Sequence, residues 1–522
     1  MPALSGWLLK STSLFSASVR SSIQFNVQSK DWITDQLGDP WGSGPPDPDL
    51  PSHSANSLAL DYYRILAAAP VPRLHHHRLI PPLHNTRTHC GQIMSTAKFR
   101  VTEHIIPACY VREYAGSTVD QEDVLHLHIK QYTPRDLPDP VPADAVTIIA
   151  AHAVGFPKEL YEPLWDELLV RSAQSNFHIR GIWIADVANM GMSGVLNEDK
   201  LSMDCSWMDH PRDLLLMINH FRDQMPRPLV GVGHSFGGTI ITNLALMHPR
   251  LLTSVILFDP VIQRLPPKMG FGADPPGPVN FALWRDDVWP NRAAAAAAYK
   301  KVFKKWDPRC LELMVQYGFR DLPTALHPDL GDNVDAANPP VTLTTTKYHD
   351  VLGQIRERFH ARASDSQAQL DRSTHADVDP SVAVLPVYRP EPPSTFNKLP
   401  SLRPSTLFLL GEASYLDLDD LRGGIKSCGQ GVGGSGGRDK VKEIILPKQG
   451  HFFAFEAVGE TASHCASWLD KVMREYRVAE REWKEKRQKL AKRDHLVLNE
   501  EWHRVIKSPS SFRAAKSRKT KL

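Results

Sequence analysis

The pentapeptide Gly233-His234-Ser235-Phe236-Gly237 stands between two segments of opposite character. RPLVGVGH (residues 227–234) is a nearly continuous apolar run of the kind a buried parallel strand requires. The stretch from Gly238, GTIITNLALMHP, has helical spacing. A chain that passes from strand to helix through one tight turn holds the central residue in a strained conformation at the sheet edge. Small residues two before and two after let the flanking backbone come close without a Cβ in the way. A serine at the centre is thereby displayed as a nucleophile. An ordinary Gly-rich strand–helix turn is the competing reading, and the flanking strand and helix favour the nucleophile.

The rest of the chain supports the same architecture. AVTIIAAH (145–152), IRGIWIADV (179–187) and SVILFDP (254–260) resemble buried strands, and VLHLHIKQY (124–132) alternates as a half-buried strand does. Helical patterns such as ELYEPLWDELLVRSA and DHPRDLLLMINHFRDQM separate them. Strands alternating with helices predict an α/β fold with a mostly parallel sheet flanked by helices and joined by right-handed crossovers. Residues 262–400 break the rhythm with PPKMGFGADPPGP, an alanine run from Ala293 to Ala298 and a Pro-rich stretch, and read as a large helical cap insertion. The sheet pattern returns at STLFLLGE (405–412) and KVKEIILP (440–447).

Five segments follow from this. Residues 1–93 form a disordered leader or reflect a misplaced upstream start, Met94 being an alternative one. Residues 94–261 are the first part of the core, 262–400 the cap, 401–475 the second part of the core, and 476–522 a charged helical tail with a basic end.

Composition excludes several function classes. Lys+Arg is 61 and Asp+Glu 58 in 522 residues, so no global charge draws the chain to nucleic acid. The six cysteines include no CxxC pair, which argues against a zinc knuckle or a disulfide framework. No apolar run is long enough for an integral membrane segment. His75, His76 and His77 are adjacent, a poor metal site without further spaced ligands, so neither a metal nor a cofactor is expected.

A serine hydroxyl needs a base and an orienting acid. In nucleophile-elbow enzymes the triad partners follow in the order serine, acid, histidine. His451, just after the last strand, is the expected base. Asp259 in LFDP, at the end of the strand that follows the elbow helix, is the favoured acid. Glu412 is its alternative, with Asp417 a further choice, because Ser414 occupies the place where an aspartate is commonest. The oxyanion hole needs two backbone N–H groups. Phe236 should supply one, and Val154, with Ala153 as the near alternative, the other.

On these residues, and on TEHIIPACYVREY, HAVGFPKELYEPLWDELL, FDPVI, WDPRCLELMVQYGFRDLPT, VTLTTTKYHDV and GVGGSGG, the span from Phe99 to Glu456 resembles the fungal α/β-hydrolases of the AK-toxin-biosynthesis type, related to the yeast peroxisomal lipase. The resemblance implies the α/β-hydrolase fold, a Ser/His hydrolase, and a role in peroxisomal lipid or secondary metabolism. It explains neither the N-terminal 93 residues nor the basic C-terminal extension.

The expected function is cleavage of an ester or thioester of a small hydrophobic acyl substrate. Phe281, Trp284, Trp289 and Phe303 of the cap are candidates for an acyl pocket. An acyl transferase or cyclase using the same triad is the rival enzyme. A catalytically silent binding protein is the rival outside enzymes, with the missing acid at Ser414 as its best support. The chain ends Thr520-Lys521-Leu522, close to the SKL address read by the peroxisomal import receptor. Peroxisome is therefore the expected location, with cytoplasm and mitochondrion as alternatives.

Overall fold

The computed structural model describes residues 97–264, 277–329, 335–357 and 387–506. The leader, the histidine tract and the terminal TKL lie outside them. Eight strands form one sheet: β1 (Phe99–Pro107), β2 (His126–Pro134), β3 (Val146–Ala151), β4 (Ile179–Ala185), β5 (Leu229–His234), β6 (Ser254–Phe258), β7 (Ser405–Gly411) and β8 (Val441–Leu446). Their spatial order is β1-β2-β4-β3-β5-β6-β7-β8. β2 runs antiparallel to β1 and β4, and the remaining neighbours pair in parallel. Every residue of β3, β5, β6 and β7 is buried, which explains their unbroken apolar sequences, whereas edge strand β8 is only partly covered.

Alternate side chains feed two apolar layers. Ile148, Val230 and Leu407 join one layer with Leu164, Trp165 and Leu168 of α1 (Glu162–Ala173). Ile149, Leu229 and Phe408 join the other with Leu214 and Met217 of α2 (Asp209–His220) and Ile240 and Leu244 of α3 (Phe236–Met247). Each large side chain fully buried this way contributes about 1.5–3 kcal/mol.

The insertion between β6 and β7 holds α4 (Pro278–Trp284), α5 (Arg292–Val302), α6 (Pro308–Tyr317) and α7 (Lys347–Gln354). It also holds a three-stranded antiparallel sheet of Val288–Trp289, Phe319–Asp321 and Val341–Leu343. Strands this short leave no readable alternation, so the sequence suggested helices alone.

Two boundaries differ from the sequence expectation. α8 (Glu391–Lys398) packs on α3, where Asn243 Nδ2 donates to Thr395 Oγ1 at 2.7 Å, so the core resumes before residue 401. After α9 (Leu418–Ser427) and β8, α10 (Val458–Gln488) is one continuous helix across the boundary at 475. Its buried residues run from Val458 to Met473 and then stop. The charge run therefore marks the end of burial and not the end of the helix. The GVGGSGG loop is packed too: Gly431 N–H donates to Pro400 O at 2.7 Å and Ser435 N–H to Leu402 O at 3.1 Å. Among the described residues no helix is long and apolar enough to cross a membrane, and no three His, Cys, Asp or Glu side chains are grouped as metal ligands.

Candidate active site

Strand register assembles the site. In the β5–β6 ladder His234 faces Phe258, so the next residues, Ser235 and Asp259, leave the sheet side by side at its C-terminal edge. β7 pairs with β6 through Leu409 and Phe258, and Gly411 pairs with Leu446 of β8, bringing the loop that carries His451 to the same edge.

Ser235 has φ 57° and ψ −118°, a region normally left to glycine, and is buried. Three backbone bonds pin it there. Its N–H donates to Phe258 O at 2.8 Å, and its carbonyl accepts from Gly238 N–H at 3.0 Å and Val261 N–H at 3.1 Å. The flanking glycines are dictated by contact. A Cβ on Gly233 would lie 2.2 Å from Gly237 O, and one on Gly237 would lie 2.2 Å from Ala151 O.

Asp259, fully buried and also at positive φ (43°), has Oδ2 2.8 Å from His451 Nδ1. Its Oδ1 accepts Gly411 N–H at 3.1 Å, and the Ser414 hydroxyl donates to Oδ2. A carboxylate accepts only, so His451 carries its proton on Nδ1 and leaves Nε2 as a lone pair. The other acid candidates are engaged elsewhere. Glu412 is exposed and its Oε2 accepts Lys448 N–H at 2.8 Å. Asp417 caps α9 by accepting from Asp420 N–H.

The oxyanion candidates divide. Ala153 N–H donates to the Tyr161 hydroxyl at 3.0 Å and is occupied. Val154 and Phe236 N–H meet no acceptor among the described residues. The same Tyr161 hydroxyl therefore donates to His234 Nδ1 at 2.9 Å, and His234 Nε2–H donates to His451 O at 2.9 Å. Burial, reinforced by the neighbouring His451, pulls the His234 imidazole down to about 3, so it stays neutral as this relay requires. Burial likewise lowers His152 and raises Tyr161.

Ser235 and His451 open on a cavity of about 330 Å³. Val154, Phe156, Phe281, Phe303 and Phe452 supply its apolar wall, and Tyr415 lies with its ring 4.5 Å from that of His451. Of the four cap aromatics picked from the sequence, Phe281 and Phe303 line this space. Trp289 instead packs in the cap core against Tyr299 and Phe319, and Trp284 is exposed. Sequence reasoning missed Tyr161, whose partners are distant in sequence, and Tyr415, whose only signal was its place in the loop after β7. It also missed Arg285 and Asp350, a buried pair at 2.8 Å on the cavity wall.

Comparison with known proteins identifies the family and the fold. The family model described as Alpha/beta hydrolase family matches residues 148–506. The chain is 57% identical over 439 residues to the Type I acyl-CoA thioesterase mpaH of Penicillium roqueforti, covering 82% of this chain and 100% of the relative. It is 55% identical, with the same coverage, to the Type I acyl-CoA thioesterase mpaH' of Penicillium brevicompactum. The abhydrolase domain-containing protein ACTT2-1 of Alternaria alternata is 30% identical over 250 residues, 47% of this chain and 85% of the relative. Among solved structures, the peroxisomal alpha-beta-hydrolase Lpx1 of Saccharomyces cerevisiae superposes with a TM-score of 0.54 at 17% identity, covering 76% of this chain and 100% of that one. This chain belongs to the α/β-hydrolase family.

Proposed function

We propose that the protein is an acyl-CoA thioesterase in which Ser235, His451 and Asp259 act as nucleophile, base and orienting acid. The observation that carries the reading is the 2.8 Å approach of Asp259 to His451 Nδ1 beside a strained, buried serine at the mouth of an apolar cavity. Relatives named acyl-CoA thioesterases, covered over their whole length, support the thioester as substrate.

Ser235 Oγ attacks the thioester carbonyl carbon while His451 Nε2 takes its proton. The carbonyl oxygen gains the charge and is met by the Phe236 and Val154 N–H groups. Collapse expels the CoA thiolate, which takes the proton from His451. A water molecule, deprotonated by the same imidazole, attacks the acyl-serine and releases the free acid. Apolar walls suit a hydrophobic acyl group.

A panel of acyl-CoAs of increasing length, with release of free thiol followed by a thiol reagent, tests the activity. Hydrolysis by the wild type and its loss in Ser235→Ala are expected. A fluorophosphonate should label Ser235 on the folded protein; no adduct together with no thiol release would return the chain to the binding-protein reading. Product analysis with an alcohol acceptor separates hydrolysis from acyl transfer.

Thr520-Lys521-Leu522 also supports peroxisomal import. Removing these three residues should release a peroxisomal reporter into the cytosol, and unchanged puncta would refute that signal.

A further inference from the structure

The loop that carries Val154 is held by the cap. Phe156 N–H donates to Ala153 O at 3.4 Å, closing a turn whose third residue, Gly155, has φ +75°. A type II turn needs that conformation at that place. Helix α7 of the insertion lies against this turn at two points. A Cβ built on Gly155 would meet both carboxylate oxygens and Cγ of Asp350 at 2.5 Å, so the carboxylate rests directly on the Gly155 backbone. A Cβ built on Gly353, one helical turn further on, would lie 2.5 Å from Val154 Cγ2.

Asp350 is itself fixed. Arg285, which follows α4, donates through Nη2 to its Oδ2 at 2.8 Å, and Gln354 Nε2 donates to its Oδ1 at 2.9 Å. The side chains of Arg285 and Asp350 are 9% and 6% exposed, so water competes little for either. α7 is anchored in turn to the core, where Trp207 Nε1–H donates to Gly353 O at 2.7 Å.

We propose that Asp350 is a positioning residue for thioester hydrolysis: held by Arg285 and Gln354, its carboxylate seats the Val154–Gly155 turn and so aims the Val154 N–H at the oxyanion. The inference rests on the hydrolase reading above and adds a part that lies outside the triad. Its consequence is that the cap completes the catalytic site and does more than enclose the acyl group. An oxyanion donor displaced by about 1 Å loses much of its effect, because it is built to meet charge that develops only in the transition state.

The test separates transition-state from ground-state binding. Asp350→Ala and Gly353→Ala are compared with wild type in three measurements: decanoyl-CoA hydrolysis, affinity for the unreactive thioether decyl-CoA, and affinity for a decyl trifluoromethyl ketone. Ser235 converts the ketone to a tetrahedral oxyanion, whereas the thioether does not use the oxyanion hole. We expect kcat to fall roughly 30-fold or more and the ketone to weaken by a similar factor, with decyl-CoA affinity held within about threefold. Equal losses for ketone and thioether, or an unchanged kcat, would overturn the proposal. Gly353→Ala presses on Val154 itself and shows only that the turn depends on α7. If Asp350→Ala does not fold, Asp350→Asn, which keeps the shape of the side chain and removes its charge, decides the matter. An unchanged kcat and ketone affinity there would overturn the role of the carboxylate. Absence of hydrolysis by the wild type would instead refute the thioesterase reading.

Discussion

The Ser414 hydroxyl donates to Asp259 Oδ2, the oxygen that lies 2.8 Å from His451 Nδ1. Ser414 sits where an aspartate would usually provide the acid, and here it bonds the carboxylate proposed as the acid, which the neighbouring strand contributes. With Gly411 N–H on Oδ1 at 3.1 Å, the buried carboxylate has three donors around it. Such bonds to an ionised acceptor are worth about 1.5–3 kcal/mol each. The absence of a carboxylate at 414 is thus no argument for a silent site.

The two positions should be exchangeable in part. Asp259→Ser alone should lower kcat roughly 10³–10⁴-fold, the scale seen when a triad acid is lost. Adding Ser414→Asp returns a carboxylate to within reach of the imidazole and should restore at least about tenfold of that loss. Ser414→Asp in the wild-type background crowds two carboxylates together and should reduce activity. Acyl-CoA hydrolysis by the four proteins checks this, and a double variant no better than Asp259→Ser would count against it.

The extent to which sequence disclosed this site follows from physics. Ser235 and His451 were readable because each belongs to a local pattern: a strand ending in glycines, and a loop after the last apolar run. Asp259 stayed one of several acids, because its choice depends on the β6–β7 pairing of Phe258 with Leu409, which no local pattern encodes. Tyr161, Asp350 and Arg285 were invisible for the same reason, since they meet the site through contacts with residues distant in the chain. The short cap strands were lost because two or three residues cannot display a period. The helix across residue 475 was cut because a shift in composition follows burial, and α10 outlasts its buried face.

Strain at the elbow predicts a stability gain that is separate from chemistry. With φ 57° and ψ −118°, any residue with a Cβ at 235 is held against its preference, at a cost of about 1–3 kcal/mol. Ser235→Gly and Ser235→Ala should both be inactive, but the glycine variant should unfold at a temperature about 1–3 °C higher than the alanine variant. Calorimetry of the two proteins decides it; an alanine variant as stable as the glycine one would show that the turn is not strained.

The aromatic wall should govern chain length. Phe156 lies 5.9 Å from Phe303 and 5.4 Å from Phe452, ring centre to ring centre, and all three border the cavity. Phe303→Ala removes apolar surface from the wall that the cap contributes, without touching the proposed triad. KM for decanoyl-CoA should rise roughly tenfold, while acetyl-CoA, too short to reach the wall, should be handled as before. A parallel change for both substrates would place the acyl chain elsewhere.

His234 sets an acid limit on stability. Its imidazole titrates at about 3 in the folded protein, against an ordinary value near 6.5, because it is buried between Tyr161 and the His451 carbonyl. The unfolded chain therefore binds a proton below pH 6.5 that the native state refuses. The full contribution is present above pH 6.5 and is lost progressively as pH falls toward 3, at up to about 1.4 kcal/mol per pH unit. By pH 4.5 the loss should reach roughly 2–3 kcal/mol. Protonation at Nδ1 would also turn that nitrogen against the Tyr161 hydroxyl, which now donates to it, while Nε2–H keeps its bond to the His451 carbonyl. Replacing the imidazole by a side chain that does not titrate, His234→Gln, should leave a protein less stable at pH 7.5 but with a flatter dependence between pH 6.5 and 4.5. Denaturant unfolding of both proteins across that range measures the difference, and identical slopes would exclude His234 as the source of the acid sensitivity.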